Sequence, residues 1–252
     1  MYRISKAISR LGIATRRQAD NLILQKKVIL NGKSIEDFSV TVNIGDTIIV
    51  DKKVYKFHPK PAMLFAFYKP KGCITSKSDS NNRVTIYDVL PSKYNNLITI
   101  GRLDYNTEGL LLLTNDGELA RFMELPSSKF ERIYKVRAFG FLDAKKLHHI
   151  MEKSFHDLRI DGIDYGKVIV KYDGHLKDID RGRKNHHFKI KIYEGKNREI
   201  RNIMNFFGFE VNRLIRDRFG DYSIQDINQK DVTQLVMKKD LLKKFQIYLS
   251  GV

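Results

Sequence analysis

The sequence has a single cysteine in 252 residues, and this scarcity excludes two classes of site. With Cys73 alone, the chain can form neither an intrachain disulfide nor a zinc cluster built from several cysteines. A long apolar run is also missing. The longest aliphatic run is Leu110 to Leu113, whereas a helix needs roughly 20 apolar residues to cross a bilayer. We therefore expect a protein of a reducing compartment, with no membrane segment and no cleavable N-terminal leader.

Motifs that hold cofactors are absent as well. The chain has no glycine-rich phosphate-binding loop and no dinucleotide-binding fingerprint. Histidine occurs in two adjacent pairs, His148-His149 and His186-His187, but neighbouring residues on a helix or strand point in different directions. We therefore expect no metal and no cofactor.

Acidic residues are outnumbered: 29 Asp and Glu stand against 46 Lys and Arg, a net charge of +17. With 42% hydrophobic residues, the chain has enough apolar material for a large core and a soluble, globular fold. A basic surface of this size favours polyanions: nucleic acid, the ribosome or an anionic membrane face. The alternative is a general solubilising coat.

The chain divides near residue 60, where Pro59 and Pro61 favour an extended linker. We predict a small domain at 1–58, a linker at 59–62 and a larger domain at 63–252. The small domain begins with two short helical patterns, and the Thr15 and Gln18 pair predicts a capping box at the second. Short strand and turn patterns follow, so we expect a helix-helix-sheet unit.

Three cations of this small domain are candidate phosphate ligands. Arg16 and Arg17 fall in the first turn of the second predicted helix, where the helix dipole disfavours positive charge. Lys6 lies in the first helix. A cation at an electrostatically poor position indicates a binding role, so we expect all three to contact nucleic-acid phosphates.

The larger domain has the pattern of an α+β fold. Residues 110–114, which begin with four leucines, are predicted to form a buried strand. Residues 134–138 and 188–192 alternate apolar and basic residues, and 200–207 carry a helical stripe. Strands and helices do not alternate regularly, so we predict a mixed, mainly antiparallel sheet with flanking helices. The polar stretch 173–187 predicts a solvated hairpin loop.

The segment 101–109 places charged side chains directly before the apolar run. A buried carboxylate at Asp104 needs a cationic partner, and Arg198 and Arg201, three apart on a predicted helix, are candidates. A paired carboxylate is available as a nucleophile or base. On the residues alone, however, a turn role for Asp104 and a solvated face for the arginines are the commoner arrangements.

These motifs resemble the RsuA/RluB family of ribosomal RNA pseudouridine synthases. The resemblance rests on Gly-Arg-Leu-Asp at 101–104 with Thr107 and the leucine run, Tyr-Lys-Val at 134–136, and Glu-Gly-Lys-Asn-Arg-Glu-Ile-Arg at 194–201. Residues 211–221 look closest to the RluB branch, which acts on large-subunit RNA. Residues 1–58 resemble the alpha-L RNA-binding module that precedes the catalytic domain in this family.

The resemblance implies isomerisation of a flipped-out uridine to pseudouridine without a cofactor. It makes Asp104 the catalytic nucleophile, Tyr134 the residue that stacks on the base, and Arg201 the partner of the aspartate, with Arg198 as the alternative partner. Arg102 and Ile200 would then contact the nucleotide. The expected partner is ribosomal RNA or a ribosomal assembly intermediate, and we expect a cytoplasmic monomer.

Three alternatives remain at this point. The first is a non-catalytic RNA-binding factor of ribosome assembly, and the second is a synthase that acts on small-subunit RNA. The third is a metal-dependent nuclease that uses Asp104 and Glu108.

Overall fold

The structure, a computed structural model, describes residues 1–152, 158–228 and 231–250. The chain forms two compact units, Met1–Ala62 and Met63–Val252. Each unit has its own hydrophobic core. No helix in the described ranges is both long and apolar enough to cross a membrane.

The first unit packs two helices against short strands. Its elements are β1 (Tyr2–Arg3), α1 (Ile4–Arg10), α2 (Arg16–Leu24), β2 (Val28–Leu30), β3 (Lys33–Ser34), β4 (Thr41–Val42), β5 (Thr47–Val50) and β6 (Lys53–Lys56). Strands pair in the order β3-β2-β5-β6, and β1 pairs with β4. The predicted capping box opens α2, since the Gln18 N–H donates to the Thr15 hydroxyl and the Thr15 N–H donates to the Gln18 side chain. The helix-helix-sheet prediction is confirmed.

The second unit is built on one large sheet. Its strands are β7 (Leu64–Lys69), β8 (Ile98–Ile100), β9 (Thr107–Thr114), β10 (Arg132–Phe141), β11 (Leu158–Ile160), β12 (Ile163–Tyr165), β13 (Val168–Tyr172), β14 (Arg183–Ile192), β15 (Glu210–Phe219), β16 (Tyr222–Ser223) and β17 (Thr233–Leu235). Its helices are α3 (Ile86–Val89), α4 (Gly117–Glu124), α5 (Ala144–Glu152), α6 (Glu199–Phe206) and α7 (Lys239–Ser250). The main strand order is β13-β14-β10-β15-β9-β7-β17.

This sheet is antiparallel at each described pairing except that of β9 with β15. The mainly antiparallel α+β prediction is therefore confirmed. The parallel pair depends on Gly109, whose φ is +108° and where an added Cβ would lie 2.4 Å from the Arg216 carbonyl oxygen. Only glycine permits this approach of the two backbones. The pairing joins the start of β9 to the middle of β15.

Two local predictions were wrong. The loop predicted at 173–187 is shorter, because β14 already begins at Arg183 and His186 is 1% exposed. Arg198 and Arg201 do not share a helical face. Arg198 precedes α6 with a left-handed φ of 51°, and its carbonyl caps the helix by accepting the Asn202 N–H.

Candidate active site

Asp104 lies in the loop between β8 and β9 and is half-buried. It borders three cavities, of about 70, 640 and 420 Å³. Arg102 also borders all three and is exposed. The loop therefore presents one carboxylate and one guanidinium at the point where the cavities meet.

The backbone beside Asp104 is held by hydrogen bonds from a second segment. The Thr75 hydroxyl donates to the Leu103 carbonyl at 2.8 Å and accepts the Leu103 N–H at 3.1 Å. The Gly72 N–H donates to the Tyr105 carbonyl at 3.0 Å. These bonds position both neighbours of Asp104 and so restrict where its side chain can go.

Lys69 supports the same loop from the interior of the protein. The side chain is fully buried, and its ammonium donates to the carbonyls of Pro70, Asp104 and Thr107 at 3.1, 3.1 and 2.9 Å. Burial lowers the pKa of Lys69, although the Asp104 carboxylate opposes that shift. The sequence analysis did not find this residue. Its signal was a lysine at the end of a buried strand, directly before a proline.

Tyr134 and apolar side chains wall the small cavity on which Asp104 borders. Tyr134 lies on β10, is 7% exposed and points to the same face as Val136, as its alternating strand predicts. Ile200, at the start of α6, is 3% exposed and borders the same cavity. An aromatic face, an aliphatic wall and a carboxylate together suit a planar polar ring such as a nucleobase.

Arg201 lies close to this loop but does not form the predicted ion pair. Its guanidinium donates instead to the carbonyls of Val211 and Asn106, at 2.8 and 3.0 Å. In the described part of the chain, no ion pair within 4.0 Å joins Asp104 to an arginine. Burial lowers the pKa of Arg201 and the neighbouring Arg198 charge lowers it further, whereas Asp104 raises it.

Arg198 is exposed and borders the cavities of about 70 and 420 Å³. The structure thus brings five of the predicted residues around the small cavity: Arg102, Asp104, Tyr134, Arg198 and Ile200.

Two family models match the chain. The RNA pseudouridylate synthase model matches residues 63–206, more than half of the chain, and the S4 domain model matches residues 3–48. The chain belongs to the RNA pseudouridylate synthase family.

Relatives agree with this assignment along the whole length. An uncharacterized RNA pseudouridine synthase of Rickettsia typhi is 37% identical over 100% of both chains. Proteins named ribosomal large subunit pseudouridine synthase B are 35% identical in Buchnera aphidicola and 31% in Bacillus subtilis, covering 96% and 93% of this chain and 92% of each relative. A crystal structure of a pseudouridylate synthase shares the fold with a TM-score of 0.61 and 23% identity, over 97% of this chain and 100% of that one.

The S4 match falls within the first unit, Met1–Ala62, which is called the S4 unit from here on. The three candidate phosphate ligands of the synthase lie in this unit. Arg16 and Arg17 are exposed in the first turn of α2. Lys6 is half-buried on α1, with its ammonium 5.3 Å from the ring centroid of Tyr2.

Glu199 is a buried acid of the synthase that the sequence analysis did not find. It borders the small cavity and is 3% exposed. One carboxyl oxygen, Oε2, accepts the Lys196 N–H at 2.9 Å, while Oε1 has no partner in the described ranges. Burial raises its pKa to about 7, against the opposing effect of the Lys196 N–H.

Two buried arginines were also missed. Arg132 and Arg216 are 6% and 2% exposed and border the cavity of about 640 Å³ together with Tyr134. Both stand at inward positions of their strands, where the alternating pattern calls for apolar residues. That mismatch was the available signal.

Glu108 points elsewhere. Its carboxylate accepts two hydrogen bonds from Arg213, at 2.8 and 3.1 Å, and a third from the Tyr68 hydroxyl at 3.1 Å. Arg213 is the main cause of its lowered pKa. Glu108 borders none of the three cavities at Asp104, so the geometry does not join the two carboxylates that the nuclease alternative requires.

Proposed function

We propose that this synthase isomerises one uridine of large-subunit ribosomal RNA to pseudouridine, with Asp104 as the nucleophile. The observation that carries the proposal is the shared border of Asp104, Tyr134 and Ile200 on one small cavity. The large-subunit synthases of Bacillus subtilis and Buchnera aphidicola, similar along nearly the whole chain, support the choice of RNA.

The reaction rearranges the nucleotide without net gain or loss of atoms. The bond between ribose C1′ and base N1 breaks, the base turns, and C5 forms the new bond to C1′. The proton on C5 leaves, and N1 takes up a proton. In this scheme an Asp104 oxygen forms and then releases a bond to the nucleotide.

A stacked uridine must leave the RNA helix before it reaches Asp104. Extrusion costs a few kcal/mol, which stacking on an aromatic side chain and contacts to phosphates offset. Tyr134 supplies the aromatic face, and the exposed guanidinium groups of Arg102 and Arg198 supply the charge. Arg201 acts as a positioning residue, because it holds the Asn106 carbonyl two residues from the nucleophile.

The S4 unit would anchor the RNA. Lys6, Arg16 and Arg17 are the proposed phosphate ligands, either in ribosomal RNA or in an assembly intermediate. We propose that the protein acts as a monomer. Ribosomal RNA as substrate supports the cytoplasm as the proposed location.

The test is a map of pseudouridine in ribosomal RNA. Carbodiimide treatment followed by reverse transcription gives a stop at each pseudouridine. Three RNA samples are compared: from cells with the gene, from cells without it and from cells rescued with Asp104→Asn. We expect them to differ at one large-subunit position, where only RNA from cells with the gene gives a stop. Rescue with Asp161→Asn, an exposed turn residue, is the matched control and should restore the stop.

A stop that persists in the Asp104→Asn cells would sink the assignment of the nucleophile. If deletion of the gene removes none of the stops while the protein still binds RNA, the non-catalytic assembly factor would be favoured. A lost stop in small-subunit RNA would keep the reaction and replace the substrate.

A further inference from the structure

Arg132 and Arg216 are buried cations that form no ion pair within 4.0 Å in the described part of the chain. In the same ranges, the hydrogen bonds of Arg132 go to backbone carbonyls, those of Phe130, Tyr193 and Glu194, at 3.0 to 3.4 Å. Arg216 donates from Nε to the Leu110 carbonyl at 2.7 Å, and its Nη2 has no partner in the described ranges. Glu199 and Glu124 act on Arg132 electrostatically without an ion pair, and the side-chain partner of Arg216 is Tyr134 rather than an acid.

This arrangement does not serve folding. A buried charge without a counter-ion destabilises the folded state, and an apolar residue of similar volume is often better tolerated. Each guanidinium lies over the ring of Phe219, with 4.7 Å to its centroid from Arg132 and 5.3 Å from Arg216. Cation–π contact offsets only part of the lost hydration. Burial accordingly lowers the pKa of both groups.

The two charges lie beside the catalytic loop. They border the cavity of about 640 Å³, which Asp104 and Tyr134 also border. Tyr134 on β10 pairs directly with Arg216 on β15. An anion in this cavity would therefore lie next to the nucleotide that Tyr134 and Asp104 are proposed to hold.

We propose that Arg132 and Arg216 form a subsite for one backbone phosphate of the RNA, adjacent to the flipped uridine. The inference rests on the proposed function, since that function brings RNA to this cavity. A guanidinium fits a phosphate because its planar fork donates two parallel hydrogen bonds to two oxygens. The cavity is large enough to admit the phosphate with part of its nucleotide.

A variant without the charge separates binding from folding. Arg216→Met keeps an unbranched apolar stem and removes the buried cation. We expect weaker RNA binding, whereas the Tm receives two opposing contributions: loss of the buried charge favours folding, and loss of the bond to the Leu110 carbonyl opposes it. Arg218→Met, an exposed position on the same strand, is the matched control and should leave the Tm and enzyme activity unchanged. Arg216→Lys keeps a charge, and its affinity for RNA should lie between that of the parent and that of Arg216→Met.

The binding experiment uses the full chain with Asp104→Asn, so that turnover does not interfere. The probe is ribosomal RNA from cells that lack the gene, titrated at several salt concentrations. Arg216→Met should raise the Kd roughly 10-fold and reduce the slope of log K against log salt by about 0.7–0.9, one phosphate contact. Inorganic phosphate, compared with chloride at equal ionic strength, should raise the Tm of the parent more than that of Arg216→Met.

An unchanged salt slope, or a lower Tm with unchanged affinity, overturns the subsite and leaves the arginine with a structural role. If Arg216→Met does not fold, Arg132→Met decides by the same readings. The pseudouridine map tests the proposed reaction independently of the subsite. If deletion of the gene removes no stop but the salt dependence of RNA binding still changes in Arg216→Met, the reaction is overturned and the anion subsite is supported.

Discussion

The buried ammonium of Lys69 donates a 3.1 Å hydrogen bond to the backbone carbonyl of Asp104. The same nitrogen reaches the Thr107 carbonyl, and the Thr107 N–H donates to the Asp104 carbonyl at 3.0 Å. Lys69 therefore binds both ends of the turn that carries the proposed nucleophile. In the described ranges, the hydrogen bonds of the Lys69 ammonium go to backbone carbonyls, and the Asp104 side chain borders the cavities.

Lys69→Met should lower both stability and activity. The substitution keeps an apolar stem but leaves buried carbonyls unpaired, which we expect to lower the free energy of unfolding by about 2–5 kcal/mol. Turnover should fall further than the loss of folded protein explains, because the Asp104 turn is no longer fixed. Urea unfolding and tritium release from RNA labelled at uridine C5 measure the two effects. Lys189→Met, an exposed lysine on β14, serves as control; equal effects for both variants would contradict the role of Lys69.

Gly109→Ala should disrupt the parallel pairing of β9 with β15. The added Cβ would meet the Arg216 carbonyl oxygen at 2.4 Å and the Arg216 nitrogen at 2.9 Å, and backbone cannot move aside as a side chain can. We expect a loss of about 4 kcal/mol or more in the free energy of unfolding. Gly162→Ala tests the backbone angle alone, since φ there is +78° with nothing within 4 Å. It should cost only about 1 kcal/mol. Similar losses at the two sites, measured by chemical denaturation, would remove the steric argument.

The sequence patterns predicted which residues meet but not how each one bonds. Asp104, Tyr134 and Ile200 were found because they lie in short motifs that resemble those of the family. The ion pair expected for Arg201 depended on where two backbone carbonyls end up, and those carbonyls come from distant segments. Lys69 could not be assigned for the same reason, since its partners become neighbours only when β7 pairs with β9.

Glu199→Gln should change how stability depends on pH. The pKa of Glu199 is about 7 in the folded protein, raised from 4.5 mainly by burial, and Glu194 raises it while Lys196 and Arg132 lower it. An acid whose pKa is higher in the folded protein than in the unfolded chain binds its proton more tightly in the folded state. Its contribution is therefore fully present below pH 4.5 and is lost as the pH rises toward 7. Glutamine does not titrate, so the advantage of the wild type over Glu199→Gln should fall by about 3 kcal/mol across this window.

Urea unfolding of both proteins at pH 5, 6, 7 and 8 gives this difference directly, because other titrating groups cancel. A difference that stays flat across the series would mean that Glu199 is ionised throughout. Glu210→Gln, which removes an exposed carboxylate on β15, serves as the control for the loss of one negative charge.

Arg16→Ala with Arg17→Ala should weaken RNA binding through the S4 unit in a salt-dependent way. Both side chains are exposed in the first turn of α2, where the helix dipole opposes them, so their removal should not reduce stability. If each contacts one phosphate, the slope of log K against log salt should fall by about 1.4–1.8 for the pair. Lys52→Ala with Lys53→Ala removes the same charge from two exposed positions of that unit, the turn before β6 and the first residue of β6. Equal slopes for the two double variants would reduce the effect to net charge, whereas a loss confined to the arginines would locate the phosphate contacts at the start of α2.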